Sequence, residues 1–327
     1  MRVSLTDFDS ITSPEQFEKK ALRLFAFQYE SNPVYRSYCD LINCAISEVR
    51  SLKDIPFLPI QFFKSKRVCC ENTQTECVFE SSKTTGQISS RHYIADLALY
   101  EKSFTKGFEF FYGDIKEYAF LALLPSYLER GNSSLVYMAE RLIQLSKHPL
   151  SGFYLKDWGA LTKTLDTLER RGQKTILLGV TFALLNGAEN YKWSLKNTLV
   201  METGGMKGMR KEWIRKALHD KLKSGFGVKK IHAEYGMTEL LSQAYSKSDG
   251  RFYPPPWMKI LTRSTDDPFE LLNHKVNGAI NIIDLANIDS CAFIATQDLG
   301  KTFPDGSFEI LGRFDQAEIR GCNLMVV

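Results

Sequence analysis

The chain has 327 residues, of which 44% are hydrophobic and 24% charged, the proportions of an ordinary globular protein with enough apolar content for a sizeable core. Lys and Arg number 42 against 38 Asp and Glu, and the formal charge of only +4 argues against nucleic acid or a membrane surface as partner. No apolar run is long enough to predict a membrane-spanning helix, and the opening MRVSLTDFDS lacks an apolar signal core, so a cytoplasmic protein is expected.

In chain order, Ser13 as N-cap and Pro14 at the first helical position predict an amphipathic helix over 14–30. A second helix is expected over 34–49. Pro56 and Pro59 then fall in an extended apolar connector. A hydroxyl-rich segment, SSKTTGQISSRH (81–92), precedes a helix expected over 92–107. The apolar runs 118–124, 175–180 and 198–202 read as short buried strands, and 133–147 and 157–171 carry helical periodicity between them. A basic amphipathic helix is expected over 210–223, its charges forming a solvated face. Strands alternating with helices predict an α/β fold with a largely parallel sheet. From Arg251 the pattern becomes strands and turns, at 258–262, 279–283, 292–296 and 307–310, which predicts a smaller antiparallel or barrel-like lobe.

The seven cysteines read as reduced, mostly buried thiols. A zinc site at Cys69, Cys70 and Cys77 is poorly supported, because the spacing is not that of paired ligands and no histidine follows at ligand spacing. The five histidines are scattered. His232, just before the segment at 233–239, can line a ligand pocket or serve as a satisfied structural histidine.

The segment AEYGMTE (233–239) packs an aromatic ring, a glycine, a hydroxyl and a carboxylate into a few residues after an apolar run. A tyrosine can stack on a base, a glycine lets backbone approach a ligand, a threonine can bond a phosphate oxygen, and a glutamate can hold Mg²⁺. Ser81, Ser82, Thr84, Thr85 and Gly86 offer hydroxyls and backbone N–H groups in one short loop, the composition of an anion nest, with a polar turn as the structural alternative.

Taken in order, these segments resemble those of the adenylate-forming enzyme superfamily (acyl-/aryl-CoA ligases and luciferases). Ser81-Ser82-Lys83-Thr84-Thr85-Gly86 resembles its phosphate loop and Tyr235-Gly236-Met237-Thr238-Glu239 its Tyr-Gly-x-Thr-Glu motif. Thr296-Gln297-Asp298 resembles its Thr-Gly-Asp, and Gly312-Arg313-Phe314-Asp315 its Gly-Arg-x-Asp hinge. Within it the runs NPVYRSYCD, IPFLPIQFFKSKRV and IRGCNLMV are similar to the acyl-protein synthetase (LuxE-type) branch, with phenylacetate–CoA ligases next. The resemblance covers nearly the whole chain.

The resemblance implies a layered α/β large domain over 1–321, with two packed sheets and a strand-rich, barrel-like lobe over roughly 251–321, then a tail at 322–327. It implies ATP and Mg²⁺ as cofactors. Tyr235 would face adenine, Thr238 a phosphate and Glu239 the Mg²⁺. Gly204 and Gly205 would form a glycine loop at adenine, with Gly236 beside it. Asp298 would take the ribose, and Arg313 the ribose or phosphates; surface ion pairs are the alternative for these charged residues. Lys83 stands where the family has glycine, so it either crowds the pyrophosphate or neutralises it. Only 14 residues follow Arg313, so the family's mobile lid and its lysine are expected to be missing. Cys322 would accept the acyl group as a thioester, with Arg320 lowering its pKa; a free thiol in a terminal strand is the alternative. The expected activity is ATP-dependent activation of a carboxylic acid, fatty or aryl, and transfer to a thiol. Candidate partners are an acyl reductase, a carrier protein or CoA. The rivals are an acyl- or aryl-CoA ligase and a catalytically impaired binding or scaffold subunit.

Overall fold

Where the sequence signals a helix start, a hydroxyl supplies the cap. In the computed structural model, helix α1 spans Pro14–Ser31, and the Ser13 hydroxyl accepts the Gln16 N–H at 3.3 Å. The structure describes residues 5–82, 88–125, 132–155, 157–204 and 215–313. The chain divides into two compact units, parted between Thr73 and Gln74 and again between Pro255 and Pro256.

The first unit begins with α1, which buries Phe17, Ala21, Leu24, Phe25 and Gln28 at helical spacing. Asn32 ends that helix and caps the next, its side chain accepting the Val34 and Tyr35 N–H groups ahead of α2 (Pro33–Leu41). The helix expected over 34–49 therefore stops at Leu41. Asn43 adopts φ +57°, the Cys44 N–H reaches the Cys39 carbonyl and the Asn43 N–H reaches that of Asp40. This left-handed Schellman closure absorbs the last carbonyls and turns the chain away. A short strand β1 (Leu58–Pro59) and the single-turn helix α3 (Phe62–Ser65) follow.

The second unit opens with a hairpin of β2 (Cys77–Glu80) and β3 (Arg91–Ile94), in which Glu80 pairs with Arg91. Of the hydroxyl-rich segment, Ser81, Ser82 and residues 88–90 lie between the two strands, while 83–87 are outside the described residues. His92 lies on β3 and not in the helix expected from 92, because Arg91 to Ile94 alternates outward and inward as a strand does. The helix α4 (Leu97–Tyr112) begins only after Asp96, whose carboxylate accepts the Ala98 and Leu99 N–H groups.

Strands and helices then alternate: β4 (Ala119–Leu123), α5 (Ser134–Ser146), β5 (Gly152–Phe153), α6 (Trp158–Arg170), β6 (Thr175–Val180), α7 (Thr181–Asn190), β7 (Thr198–Thr203), α8 (Arg215–Phe226) and β8 (His232–Tyr235). The sheet order is β5-β4-β6-β7-β8, all parallel. β9 (Ala244–Ser246) and β10 (Arg251–Tyr253) extend it in antiparallel fashion. Every residue of β4 is buried, as a parallel strand covered on both faces requires. Leu121, Leu123, Leu161, Leu165, Leu177 and Leu184 belong to the core, beside a ring stack of Trp158, Tyr191, Trp193 and Phe226 at centroid spacings of 5.1–5.5 Å. The basic segment appears as α8, with Leu218, Leu222 and Phe226 buried while Lys216 and Lys221 face solvent; residues 210–214 lie outside the described set.

The chain returns to the first unit with β11 (Met258–Arg263), β12 (Gly278–Asp284), β13 (Phe293–Thr302) and β14 (Phe308–Arg313), an antiparallel meander that β1 joins in parallel along β13. The run expected at 292–296 continues to Thr302 because its polar half pairs with β14, which needs no apolar side chains. The fold is mixed α/β, as expected. Among the described residues no helix is long and apolar enough to cross a membrane. The described cysteines are free thiols, four of them buried, and no group of three metal-ligating side chains occurs among the described residues.

His232 occupies a structural niche in the second unit. It is buried, and its Nδ1 lies 3.2 Å from the Tyr112 hydroxyl. Burial foremost, then Lys247 and Lys230, holds its pKa down at about 4 against an ordinary 6.5. The unfolded chain therefore takes up the proton first on acidification. Stability from this histidine is complete above about pH 6.5 and drains away as pH falls toward 4, amounting to about 3 kcal/mol. In His232→Gln, about 2–3 kcal/mol of the stability lost between pH 7 and 4.5 should disappear, read from denaturant midpoints. An identical pH profile in the variant would refute the buried neutral ring.

Candidate active site

Because β4, β6, β7 and β8 run parallel, their carboxyl ends share one edge of the sheet, the position where open α/β sheets bind ligands. A cavity of about 350 Å³ lies there. Leu124 and Pro125 follow β4, Val180 ends β6, Thr203 and Gly204 close β7, and Glu234 to Thr238 close β8. Ser81 and Ser82, at the base of the hairpin loop, complete the lining.

Of the residues singled out in the sequence, Ser81, Ser82, Gly204, Gly236 and Thr238 come together in this cavity. Ser81 anchors the loop: its hydroxyl accepts the Ser90 N–H at 2.9 Å, and its own N–H donates to the Ser90 carbonyl at 3.0 Å. Gly204 has φ +76°, a left-handed geometry that strains any side chain, so the chain can turn sharply out of β7 only with glycine. The Thr238 carbonyl is held 2.8 Å from His92 Nδ1, tying the segment after β8 to β3.

Tyr235 and Glu239 do not line the cavity. The Tyr235 ring packs on Phe252 at a centroid distance of 5.8 Å, and Glu239 is buried. Asp298 and Arg313 belong to the first unit, where they face each other across β13 and β14, with Arg313 Nε 3.5 Å from Asp298 Oδ1. Asp298 is held further by its N–H, which donates to Thr296 Oγ1 at 3.1 Å. Lys83, Thr84, Thr85, Gly86, Gly205 and Cys322 lie outside the described residues.

Sequence reasoning missed a buried carboxylate of the cavity wall, Glu234. Glu234 is buried, and its carboxylate accepts a hydrogen bond from the Thr203 hydroxyl, its register partner on β7. A carboxylate next to an apolar strand end was the available signal, since burying such a group demands a partner. Glu234 also explains Gly236: a β-carbon there would strike Glu234 Oε1. Ser89 and Gln243, both more than nine-tenths buried, line the same cavity, and Ser89 Oγ and Gln243 Oε1 have no hydrogen-bond partner among the described residues. Buried polar atoms in this state call for a partner, which water, an ion or a ligand can supply.

The lining therefore offers hydroxyls from Ser81, Ser82, Ser89 and Thr203 around two carboxylates, Glu80 and Glu234, and no Lys, Arg or His among its described residues. Hydroxyls suit phosphate oxygens. The carboxylates repel phosphate unless a cation stands between them, so the set fits a phosphate accompanied by a divalent metal ion.

The sequence matches no protein-family model and no curated protein. Among solved structures the chain is similar to 2-hydroxyisobutyryl-CoA ligase in complex with 2-HIB-AMP and CoA, with a TM-score of 0.68, 14% identity, and 94% of this chain covering 70% of that one. It is also similar to ATP-bound MatB from Rhodopseudomonas palustris, with a TM-score of 0.54 and 19% identity over 73% of this chain. The chain spans about half of MatB's length, 48%. At these identities the likeness establishes the fold.

The Glu234–Gly236 contact predicts a measurable coupling. Gly236→Ala should cost about 1–3 kcal/mol by displacing a carboxylate from its hydroxyl donor. In a Glu234→Ala background the same substitution should cost less than about 1 kcal/mol. Equal costs in a double-mutant cycle of denaturant unfolding would show that the two do not interact.

Proposed function

We propose that this protein is an adenylate-forming enzyme of the acyl-protein synthetase kind, which activates a carboxylic acid with ATP and passes the acyl group to a thiol. The observation that carries this reading is the meeting of Ser81, Ser82, Gly204, Gly236 and Thr238, from three separate segments, in one cavity at the carboxyl edge of the parallel sheet. The same order of motifs in the sequence and the fold shared with acid–CoA ligases support it.

In the first step a carboxylate oxygen attacks the α-phosphorus. A new P–O bond forms, the bond to the bridging oxygen breaks, and pyrophosphate leaves with the electron pair. Charge gathers on the phosphate oxygens, and preorganised donors aimed there lower the barrier. Ser81, Ser82 and Thr238 are the donors this chain offers, with Gly204 and Gly236 letting backbone approach the nucleotide. Mg²⁺ would neutralise phosphate charge; Glu239 is its ligand by resemblance, and Glu234 is a carboxylate already on the cavity wall. In the second step a thiolate attacks the acyl carbonyl, a C–S bond forms, and AMP leaves with the bonding pair. Cys322 is the internal thiol of this reading.

A second reading makes CoA the acceptor. It is favoured by the structural likeness to 2-hydroxyisobutyryl-CoA ligase, which binds CoA together with its acyl-adenylate. A third, a non-catalytic binding subunit of an acyl reductase system, is separated from both by its lack of turnover.

Acid-dependent ATP–pyrophosphate exchange, measured with fatty acids of graded length and with phenylacetate, tests the proposal. Exchange should require Mg²⁺ and at least one of these acids. Thr238→Val should lower it by roughly 100-fold, the effect of removing one transition-state donor, with an unchanged melting curve. Cys322→Ser should keep exchange but lose a hydroxylamine-sensitive acyl label. A wild-type protein without exchange for any acid leaves the binding-subunit reading, and exchange with release of acyl-CoA but no label assigns CoA as the acceptor.

A further inference from the structure

The first unit contains its own cavity, of about 670 Å³, lined only by residues of that unit. At its wall stands Arg263, 7% exposed, at the end of β11. Nη1 donates to the Ile280 carbonyl at 2.8 Å and to Asn281 Oδ1 at 2.6 Å, and Nη2 donates to the Thr296 carbonyl at 2.7 Å. All three acceptors are neutral. Among the described residues no carboxylate lies within ion-pairing distance of the guanidinium, and its Nε–H makes no hydrogen bond. Burial lowers its pKa to about 10, which still leaves it charged at neutral pH. A desolvated cation without a counter-ion is costly, and native structures supply a partner for such a charge.

A second donor adjoins it. Asn281 is fully buried and also lines the cavity. Its amide orientation follows from the guanidinium, which can only donate, so Oδ1 must face Arg263. Its Nδ2 then has no acceptor among the described residues. The carboxylates at the cavity are engaged elsewhere: Asp54 accepts from the Arg50 and Ser51 N–H groups and the Ser51 hydroxyl, and Glu48 from the Ala45 N–H. Ile42, Val49, Ile55, Phe57 and Leu271 supply an apolar wall, and Phe269, 61% exposed, stands on the lining as well.

A cationic fork with spare donors, beside an unfilled amide and an apolar wall, is complementary to an acid with an apolar body. We propose that this cavity is a binding site for a monocarboxylic acid, with its carboxylate received by Arg263 and Asn281 and its hydrocarbon body lying on Val49, Ile55 and Phe57. A role for Arg263 solely as a clamp of β11, β12 and β13 accounts for three of its hydrogen bonds but leaves both the open cavity and the Asn281 Nδ2 unexplained. The site is independent of the activity proposed above, since no adenylation is asked of it.

Cys44 lines the same cavity and reports occupancy without any turnover. The full-length protein, without ATP, is alkylated with iodoacetamide, and the modification rate at Cys44 is followed by peptide mass spectrometry. Octanoate should slow alkylation of Cys44 about tenfold near saturation, octanamide less than twofold, and inorganic phosphate not at all. Val49→Trp, a substitution on the partly exposed wall that leaves Arg263 untouched, should remove the protection. Arg263→Lys, where it folds, should weaken it through loss of the fork. No protection by octanoate, equal protection by octanamide, protection by phosphate alone, or full protection in Val49→Trp would each overturn the proposal. The wild-type comparison of octanoate with octanamide decides even where both variants misfold.

Discussion

The parallel register of β6, β7 and β8 is the constraint on which the candidate site depends. It sets Thr203 beside Glu234 and Val180 beside Thr203, so that the last residues of three strands share one edge. Once Glu234 is placed there, its carboxylate must be satisfied inside the protein, and the Thr203 hydroxyl does so. The space taken by that carboxylate excludes a β-carbon at Gly236, and the exit from β7 requires a positive φ at Gly204. Both glycines therefore answer to local geometry before any ligand is considered. A ligand meets a cavity whose backbone is already bare at two points.

The neighbouring position on β7 shows how strand alternation divides labour. Successive side chains point to opposite faces, so while Thr203 turns to Glu234, Glu202 turns to the helices. There it accepts from His219 Nε2 at 2.9 Å, Arg215 at 3.4 Å and the Thr181 hydroxyl at 3.4 Å. One buried carboxylate thus joins the start of α7 to the face of α8. Breaking such a group away from its partners would leave an uncompensated charge, which couples helix placement to strand register. This network lies on the opposite side of β7 from the cavity, where Ser89 Oγ and Gln243 Oε1 stay without a partner among the described residues.

Much of this was legible in the sequence because the relevant signals are local. Apolar runs gave away the buried parallel strands, since a strand covered on both faces is mostly apolar; the strand at Thr175–Val180 has the limits its composition predicts. Caps located helices as well, as Ser13 and Pro14 did for α1. The errors came where a local pattern supports two structures. His92 to Ile94 suits either a strand or a helical turn, and only pairing with β2 decides. Asn43 ends α2 through a backbone conformation that composition alone does not reveal. Least legible was the joining of the first helices to the last strands. It rests on contacts such as the buried Gln28 amide, which donates to the Asn287 and Ile288 carbonyls and accepts the Ala292 N–H. No window of sequence contains both partners. Of the residues singled out by type and order, Ser81, Ser82, Gly204, Gly236 and Thr238 line the cavity while Tyr235 and Glu239 do not, and Glu234 became visible only through its register with Thr203.

The two cavities solve opposite electrostatic problems, and this separates what each can hold. The cavity of the second unit has carboxylates and hydroxyls but no basic side chain on its described lining. An anion entering alone would meet repulsion in a medium of low dielectric, where charges are screened poorly. In the proposed function it enters together with a cation that the carboxylates also attract. The cavity of the first unit is the reverse case, with a buried guanidinium lacking a counter-ion and its nearby carboxylates already bonded to their own turns. An anion there relieves an existing penalty, needs no accompanying metal, and is selected by whatever apolar body the wall can cover. The described linings thus present opposite charge, carboxylates and hydroxyls in the second unit and a buried guanidinium in the first, and the two sites proposed on them differ accordingly in what they hold.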